Sequence, residues 1–397
     1  MNVRLGILTT HPIQYQVPWF RALAKLAEIN LTVFFCMIPD EVQQGDGFGV
    51  PFKWDIPLLE GYRYEVLENT ASKPSISNFY GCDTPGIGEI VKNGGFDAFI
   101  VNGWVVKSCI QLLFACRKYN VPCIVRGESN ALCLRAWWKR LFHRYLLGIY
   151  SAFLNIGESN KDFYLQNGVP DKKIFFAPYC VENERFTKEA GTLYSEREVI
   201  RSGWGIKPSS FTFLFCAKFI RKKRPMDLLK AMMLALQEMD NPGMSIHLLM
   251  VGEGELREEC EHFALENHLP VTFTGFLNQS EITRVYVASD CIVLPSDYGE
   301  TWGLVVNEAM ACGLPAIVSN RVGCSRDIVR KGLTGEIFPF GDVKALSILL
   351  KSFASHPEKV KSMGEEAKKL IGNYSYDEVV KGTLAAVEYV KRVKGSC

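Results

Sequence analysis

Short runs of β-branched and aromatic residues alternate along the chain with stretches of helical period. VRLGILTT (3–10) precedes the helical VPWFRALAKLAE (17–28), then LTVFF (31–35). FDAFIVN (96–102), KSCIQLLFACRKY (107–119), VPCIVRG (121–127) and AFLNIG (152–157) continue the same grammar. A second set begins at FTFLFCA (211–217), PMDLLKAMMLALQEM (225–239) and SIHLLMVG (245–252), and runs on to VTFTG (271–275) and CIVLP (291–295). Strands alternating with helices predict parallel sheets covered on both faces. Strand–helix alternation of this kind predicts an α/β fold, and two sets predict two Rossmann-like domains facing across a cleft. The polar stretch 188–210 is the expected division. It gives domains over 1–195 and 196–375, followed by a C-terminal helix over 376–397. Ser375 and Glu378 have capping-box spacing for that helix, which is expected to cross back to the first domain.

Composition narrows the class. Apolar residues make up 48 % of 397 residues, charged residues 22 %, and the formal net charge is +2. That balance excludes an electrostatic case for nucleic acid and leaves charged partners to local patches. The 13 cysteines are scattered and form no CxxC, so reduced buried thiols are expected rather than a disulfide frame or a zinc site. The opening MNVRLGILTTHPIQY reads as a β-like run, not a signal peptide, and no run of about 18 apolar residues occurs. A cytoplasmic location follows as an expectation, with peripheral contact at the inner membrane face as an option.

Candidate chemistry gathers after the strands, where open α/β sheets bind ligands. GETWGLVVNEAMACG (300–314) carries Glu300 and Glu308. On one helix they would lie about 80° and about 12 Å apart, too far for a close pair. A helix starting near Gly303 leaves Glu300 in the loop, Glu308 about one turn in, and the amides of Trp302, Gly303 and Leu304 as anion donors. The plain alternative is a solvated loop acid and a surface acid. Lys218, Arg221, Lys222, Lys223 and Arg224 follow another strand and suit a diphosphate, or form an ordinary basic turn. Gly252 in VGEGELR marks a tight turn; Arg257 breaks the dinucleotide-binding glycine pattern, which disfavours an NAD enzyme.

These segments, with TGFLNQSEITRVYVASDCIVLPSDYGETWGLVVNEAMACGLPAIVSNRVGCSRDIVRKGLTGEIF, resemble the donor domain of retaining glycosyltransferases of family four, which have the GT-B fold. Glu300 and Glu308 match that family's E-x7-E motif, and Lys218 and Lys223 its basic pair. HPIQYQVPWFRALA (11–24), RGES (126–129) and APYCVENERF (177–186) resemble one subgroup. Thr10, His11 and Pro12 replace a glycine pair. Arg126, Gly127 and Glu128 stand where a histidine is frequent, and Gly323-Cys324 replaces a Gly-Gly.

The resemblance implies a nucleotide diphosphate sugar donor, with a UDP-sugar the expected form, and a glycan, glycolipid or lipid-linked acceptor. Lys218 and Lys223 would stabilise the leaving diphosphate, Glu308 would accept the ribose hydroxyls and Glu300 would meet the sugar. No Asp-x-Asp occurs, so the expected reaction needs neither metal nor other cofactor. On the acceptor side, His11 is a candidate proton relay or a loop histidine bonded to backbone. Arg126 and Glu128 would pair with each other, hold the acceptor or contact the donor sugar. A sugar-nucleotide epimerase and a non-catalytic sugar-nucleotide sensor share the pattern. Finally, LRAWWKRLFHRYLLGIY (134–150) repeats Leu134, Trp138, Leu141, Tyr145 and Ile149 at helical spacing among cations. It reads as a core-facing helix with a basic outer face or as an interfacial helix on anionic lipid.

Overall fold

The computed structural model describes residues 3–45, 47–133, 135–239 and 245–395. They form two compact units, one of 1–43, 56–179 and 375–397, the other of 44–55 and 180–374.

The first unit is built on a parallel sheet of β1 (Val3–Thr9), β2 (Ile29–Phe35), β3 (Tyr64–Val66), β4 (Ala98–Val101), β5 (Cys123–Val125), β6 (Ala152–Asn155) and β7 (Ile174–Phe176). Their spatial order is β3-β2-β1-β4-β5-β6-β7. Every residue of β4, β5 and β6 is buried, which is why these strands read as mostly apolar runs. β3 closes one edge and is exposed throughout. The helix Tyr376–Gly395 belongs to this unit, and the Ser375 hydroxyl accepts from the Glu378 amide at 3.5 Å as the capping spacing predicts. Its buried positions Val379, Gly382, Thr383, Ala386, Val387 and Val390 follow helical period. At Gly382 a Cβ would stand 1.8 Å from the Phe176 carbonyl oxygen, so only glycine lets this helix meet the end of β7.

The second unit has β8 (Ser210–Cys216), β9 (Ser245–Val251), β10 (Val271–Gly275), β11 (Cys291–Leu294), β12 (Ala316–Ser319) and β13 (Gly335–Phe338), in the order β10-β9-β8-β11-β12-β13. β8 and β9 pair in parallel over seven residues each, from Ser210 opposite Ser245 to Cys216 opposite Val251. Phe213 and Phe215 of β8 pack with Leu228 and Met232 of the helix Pro225–Gln237 and with Leu346 and Leu350 of the helix Val343–Ser355. Cysteines lie mostly in these cores; no disulfide joins those described, and all but Cys133 and Cys312 are buried.

Three features differ from the expectations. The stretch 188–210 does not divide the two units, which change at 179/180. It contains the end of the helix Asn183–Leu193, then the helix Arg197–Gly203, held inside the second unit by Arg197 and Arg201 on Asp290. Asp290 also accepts the Thr212 amide at 2.8 Å, so one carboxylate joins this helix to β8. Residues 44–55 lie in the second unit although the chain around them belongs to the first. Phe48, Phe52 and Trp54 cluster on Phe276, the Phe52–Phe276 rings 4.4 Å apart, and burial of four rings outweighs chain proximity.

The helix Trp137–Leu147 does not turn its periodic apolar face to the core. Trp138, Leu141 and Tyr145 are 56 %, 58 % and 67 % exposed; its buried positions are Leu146 and Leu147. Ile149 is half-buried beyond its end, and Leu134 lies outside the described residues.

Candidate functional site

Counted along the chain, the second sheet has the order 3-2-1-4-5-6, whose connections change direction between β8 and β11. The two loops leaving those neighbouring strands carry Lys218 and Lys223 on one side and Glu300 on the other. Lys223 Nζ donates to Glu300 Oε2, and both side chains are largely buried. Lys218 Nζ stands 3.7 Å from the centroid of Phe48, which the aromatic cluster of 44–55 brings there. The basic run is thus divided. Arg224 forks onto Asp227 at 2.8 and 3.0 Å and caps the helix Pro225–Gln237 with left-handed backbone, while Arg221 and Lys222 are exposed.

The loop bearing Glu300 is fixed by its backbone. Its amide donates to the Asp297 carbonyl at 3.0 Å, and its carbonyl accepts from the Gly323 amide at 3.0 Å. A Cβ at Gly323 would lie 1.8 Å from the Thr301 oxygen, so this glycine allows the two loops to touch. Cys324 beside it is buried and donates its amide to the Trp302 carbonyl at 2.9 Å.

The helix Leu304–Ala311 follows, with Gly303 as its cap at φ 105°. That backbone favours glycine. A side chain there would also meet Leu294 at 2.9 Å and Val322 at 3.2 Å, so the reason for glycine lies in the core and not in open space for a ligand. The first amides of the helix, at Gly303 and Leu304, have no acceptor within it by helical geometry. Trp302 is buried, and its indole donates to Asn307 at 2.8 Å, tying the loop to the helix.

Glu308 sits on this helix. Tyr286 donates to its Oε2 at 2.5 Å, and burial pushes its carboxyl up to about 7. One of its two oxygens is therefore engaged before any ligand arrives. The sequence reading missed Tyr286, which is distant in the chain; the only trace was an aromatic residue in the quoted ITRVYVA run. Gly252, at φ 127°, follows β9; a Cβ there would strike the Ala217 oxygen at 2.1 Å. The glycine turn thus packs directly under the loop of Lys218.

In the first unit His11 follows β1, 2.9 Å from Thr10 Oγ1, and burial lowers its imidazole to about 4. It is a neutral acceptor near pH 7. Nearby, Gln16 Oε1 accepts from Thr9 at 3.0 Å and Asn102 at 2.9 Å. Arg126 follows β5 and is 6 % exposed. Its guanidinium lies 4.5 Å from the Tyr179 ring and 5.2 Å from Trp19, donates to the Pro178 carbonyl at 3.4 Å, and keeps a buried Nε without a partner. Glu128 accepts from the Tyr179 hydroxyl. Arg126 and Glu128 therefore both meet Tyr179. Tyr179 was not singled out from sequence, although APYCVENERF contains it.

No group of three or more His, Cys, Asp or Glu side chains with metal-site geometry occurs among the described residues.

The family model of the "Glycosyl transferases group 1" matches residues 196–370. The group 1 domain covers the switch point, both glutamates and both lysines. The sulfoquinovosyl transferase of Arabidopsis thaliana is 32 % identical over 157 residues, 39 % of this chain and 29 % of that protein. A D-inositol 3-phosphate glycosyltransferase of Rhodococcus opacus is 30 % identical over 48 % of this chain and 43 % of its own. The chain thus spans less than half the length of either relative.

Solved structures reach beyond the group 1 domain. A glycosyltransferase from Rickettsia africae aligns over 98 % of both chains with a TM-score of 0.75 at 14 % identity. Anabaena HepE, solved in complex with UDP and glucose, aligns over 97 % of this chain and all of its own, with a TM-score of 0.70 at 15 % identity. At such identities the likeness establishes the fold, which is GT-B.

Proposed function

We propose that the protein is a retaining, metal-independent glycosyltransferase. It moves a sugar from a nucleotide diphosphate sugar, in the first place a UDP-sugar, to a glycan, glycolipid or lipid-linked acceptor. The observation that carries this reading is the Lys223–Glu300 ion pair at the switch point of a group 1 domain, with Glu308 on the helix that follows. UDP is favoured because Anabaena HepE, of the same fold, was solved with it.

In this reading the donor's phosphates draw Lys223 from Glu300 and meet Lys218 and the Gly303 and Leu304 amides. Glu300 is then left to the sugar hydroxyls. The ribose hydroxyls take the open oxygen of Glu308. When the anomeric carbon–oxygen bond breaks, its electron pair stays on the diphosphate, where two cations and a helix start stabilise it in place of a metal. In the first unit, neutral His11 is the candidate acceptor for the incoming hydroxyl's proton, and Arg126 with Glu128 and Tyr179 is the candidate hold on the acceptor.

The test is a thermal-shift screen of UDP-, GDP- and ADP-sugars, followed by nucleotide release and product analysis with acceptor, with and without EDTA. Stabilisation by UDP-sugars, EDTA-resistant transfer and retained anomeric configuration are expected. No stabilisation by any nucleotide sugar would overturn the reading. So would an epimerised sugar formed without acceptor, or donor binding that never leads to transfer.

A further inference from the structure

The helix Trp137–Leu147 wears its amphipathicity inside out. At about 100° per residue, Trp137, Leu141, Tyr145, Trp138 and Phe142 fall in one continuous arc of about 140°. All five face solvent, Trp137 at 73 % and Phe142 at 58 % exposure. A surface helix held only by its own fold turns that arc to the core. Here the core side is narrow, formed by Leu146, Leu147 and half-buried His143, whose ring packs on Phe163 at 5.4 Å. Five large apolar side chains side by side form a patch of the kind that marks an interaction surface.

The borders of the arc identify the partner. Arg140 and Arg144 line one edge, and Lys139 stands beyond buried Leu146 at the other; all three cations are exposed. Lys139 Nζ lies 5.3 Å from the Trp138 centroid, at the level where a cation reaches past the ring toward headgroups. No Asp or Glu occurs between residues 134 and 150. Trp and Tyr prefer the interface of a bilayer, and cations at that depth pair with anionic headgroups. An acid-free, Trp-bearing apolar arc with a cationic border is complementary to an anionic bilayer surface on both counts. Among the described residues no helix is long and apolar enough to cross a membrane, so the contact is parallel to the surface.

We propose that residues 137–145 dock the protein on an anionic lipid bilayer, with Trp137, Trp138, Leu141, Phe142 and Tyr145 entering the headgroup–acyl boundary. The contact requires neither a bound nucleotide sugar nor turnover, so it stands apart from the proposed reaction.

Flotation of the full chain with phosphatidylcholine vesicles, with and without about a quarter phosphatidylglycerol, tests it. The protein is expected to float with the anionic vesicles and to be released by added salt. Leu141→Ser with Phe142→Ser is expected to lower partitioning by at least about tenfold, and Arg140→Glu with Arg144→Glu to abolish the preference for anionic lipid. Both variants should keep the parent's melting temperature and its response to nucleotide sugars. If the serine pair does not fold, the charge-reversal pair decides alone. Failure of the parent to float, or equal flotation of the variants, would overturn the proposal. So would a concentration-dependent dimer, without flotation, that the serine pair abolishes.

Discussion

The two sheets share one strand order at their centres, yet their switch points hold opposite kinds of chemistry. Between β8 and β11 lies an ionic centre of Lys218, Lys223 and Glu300, with Glu308 raised by burial. After β1 and β4 lies a neutral network of Thr9, Gln16 and Asn102 with His11, which burial keeps uncharged. Topology supplies a place where loops part, and the side chains put there decide whether it suits a charged or a neutral group.

The sharpest way to break the comparison is to remove the ionic centre. Lys223→Ala deprives the diphosphate of a cation and leaves Glu300 buried and unpaired. Nucleotide-release assays should show kcat falling by about 10²–10³, or about 3–4 kcal/mol of transition-state stabilisation. An unchanged kcat would show that the charge contrast has no catalytic meaning.

Glu308→Ala comes next. It removes an acceptor of charge-assisted hydrogen bonds worth about 1.5–3 kcal/mol, so UDP affinity should fall roughly 10- to 100-fold by calorimetry, with kcat less affected. Arg126→Met probes the other unit: acceptor KM should rise about tenfold while UDP affinity stays at the parent value. A loss of UDP affinity instead would assign Arg126 to the donor.

The smallest effect is one of pH. The folded, ligand-free protein holds the Glu308 proton more tightly than an ordinary carboxylate does. Its contribution to stability is therefore full below the usual carboxylate range and is lost as pH rises through about 7. Ribose hydroxyls pair best with the ionised form, so UDP binding should tighten severalfold from pH 6 to pH 8 and level off above. Glu308→Gln should flatten that profile. A flat profile in the parent would place the donor away from Glu308.

Much of this was readable in the chain. Strands such as AFIV, AFLN and SFTFLFC are buried on both faces, and burial on both faces writes a mostly apolar run. The E-x7-E spacing implied a loop acid and a helix acid, which is where Glu300 and Glu308 stand. Gly303 was legible as a helix start, but its reason was not. What a missing Cβ would strike depends on Leu294 and Val322, and the latter is distant in sequence.

The sequence by itself determined the α/β class, the two sets of strands and the helix starting at Gly303, because local period and backbone preference fix those. Tertiary structure alone decided that Tyr286 engages Glu308, that Phe48 stands over Lys218 and that Arg126 and Glu128 meet at Tyr179. It also decided which way the helix Trp137–Leu147 faces. A helical period shows that an apolar face exists; only packing shows whether protein covers it. Here the core takes Leu146 and Leu147, and the larger face is left outward.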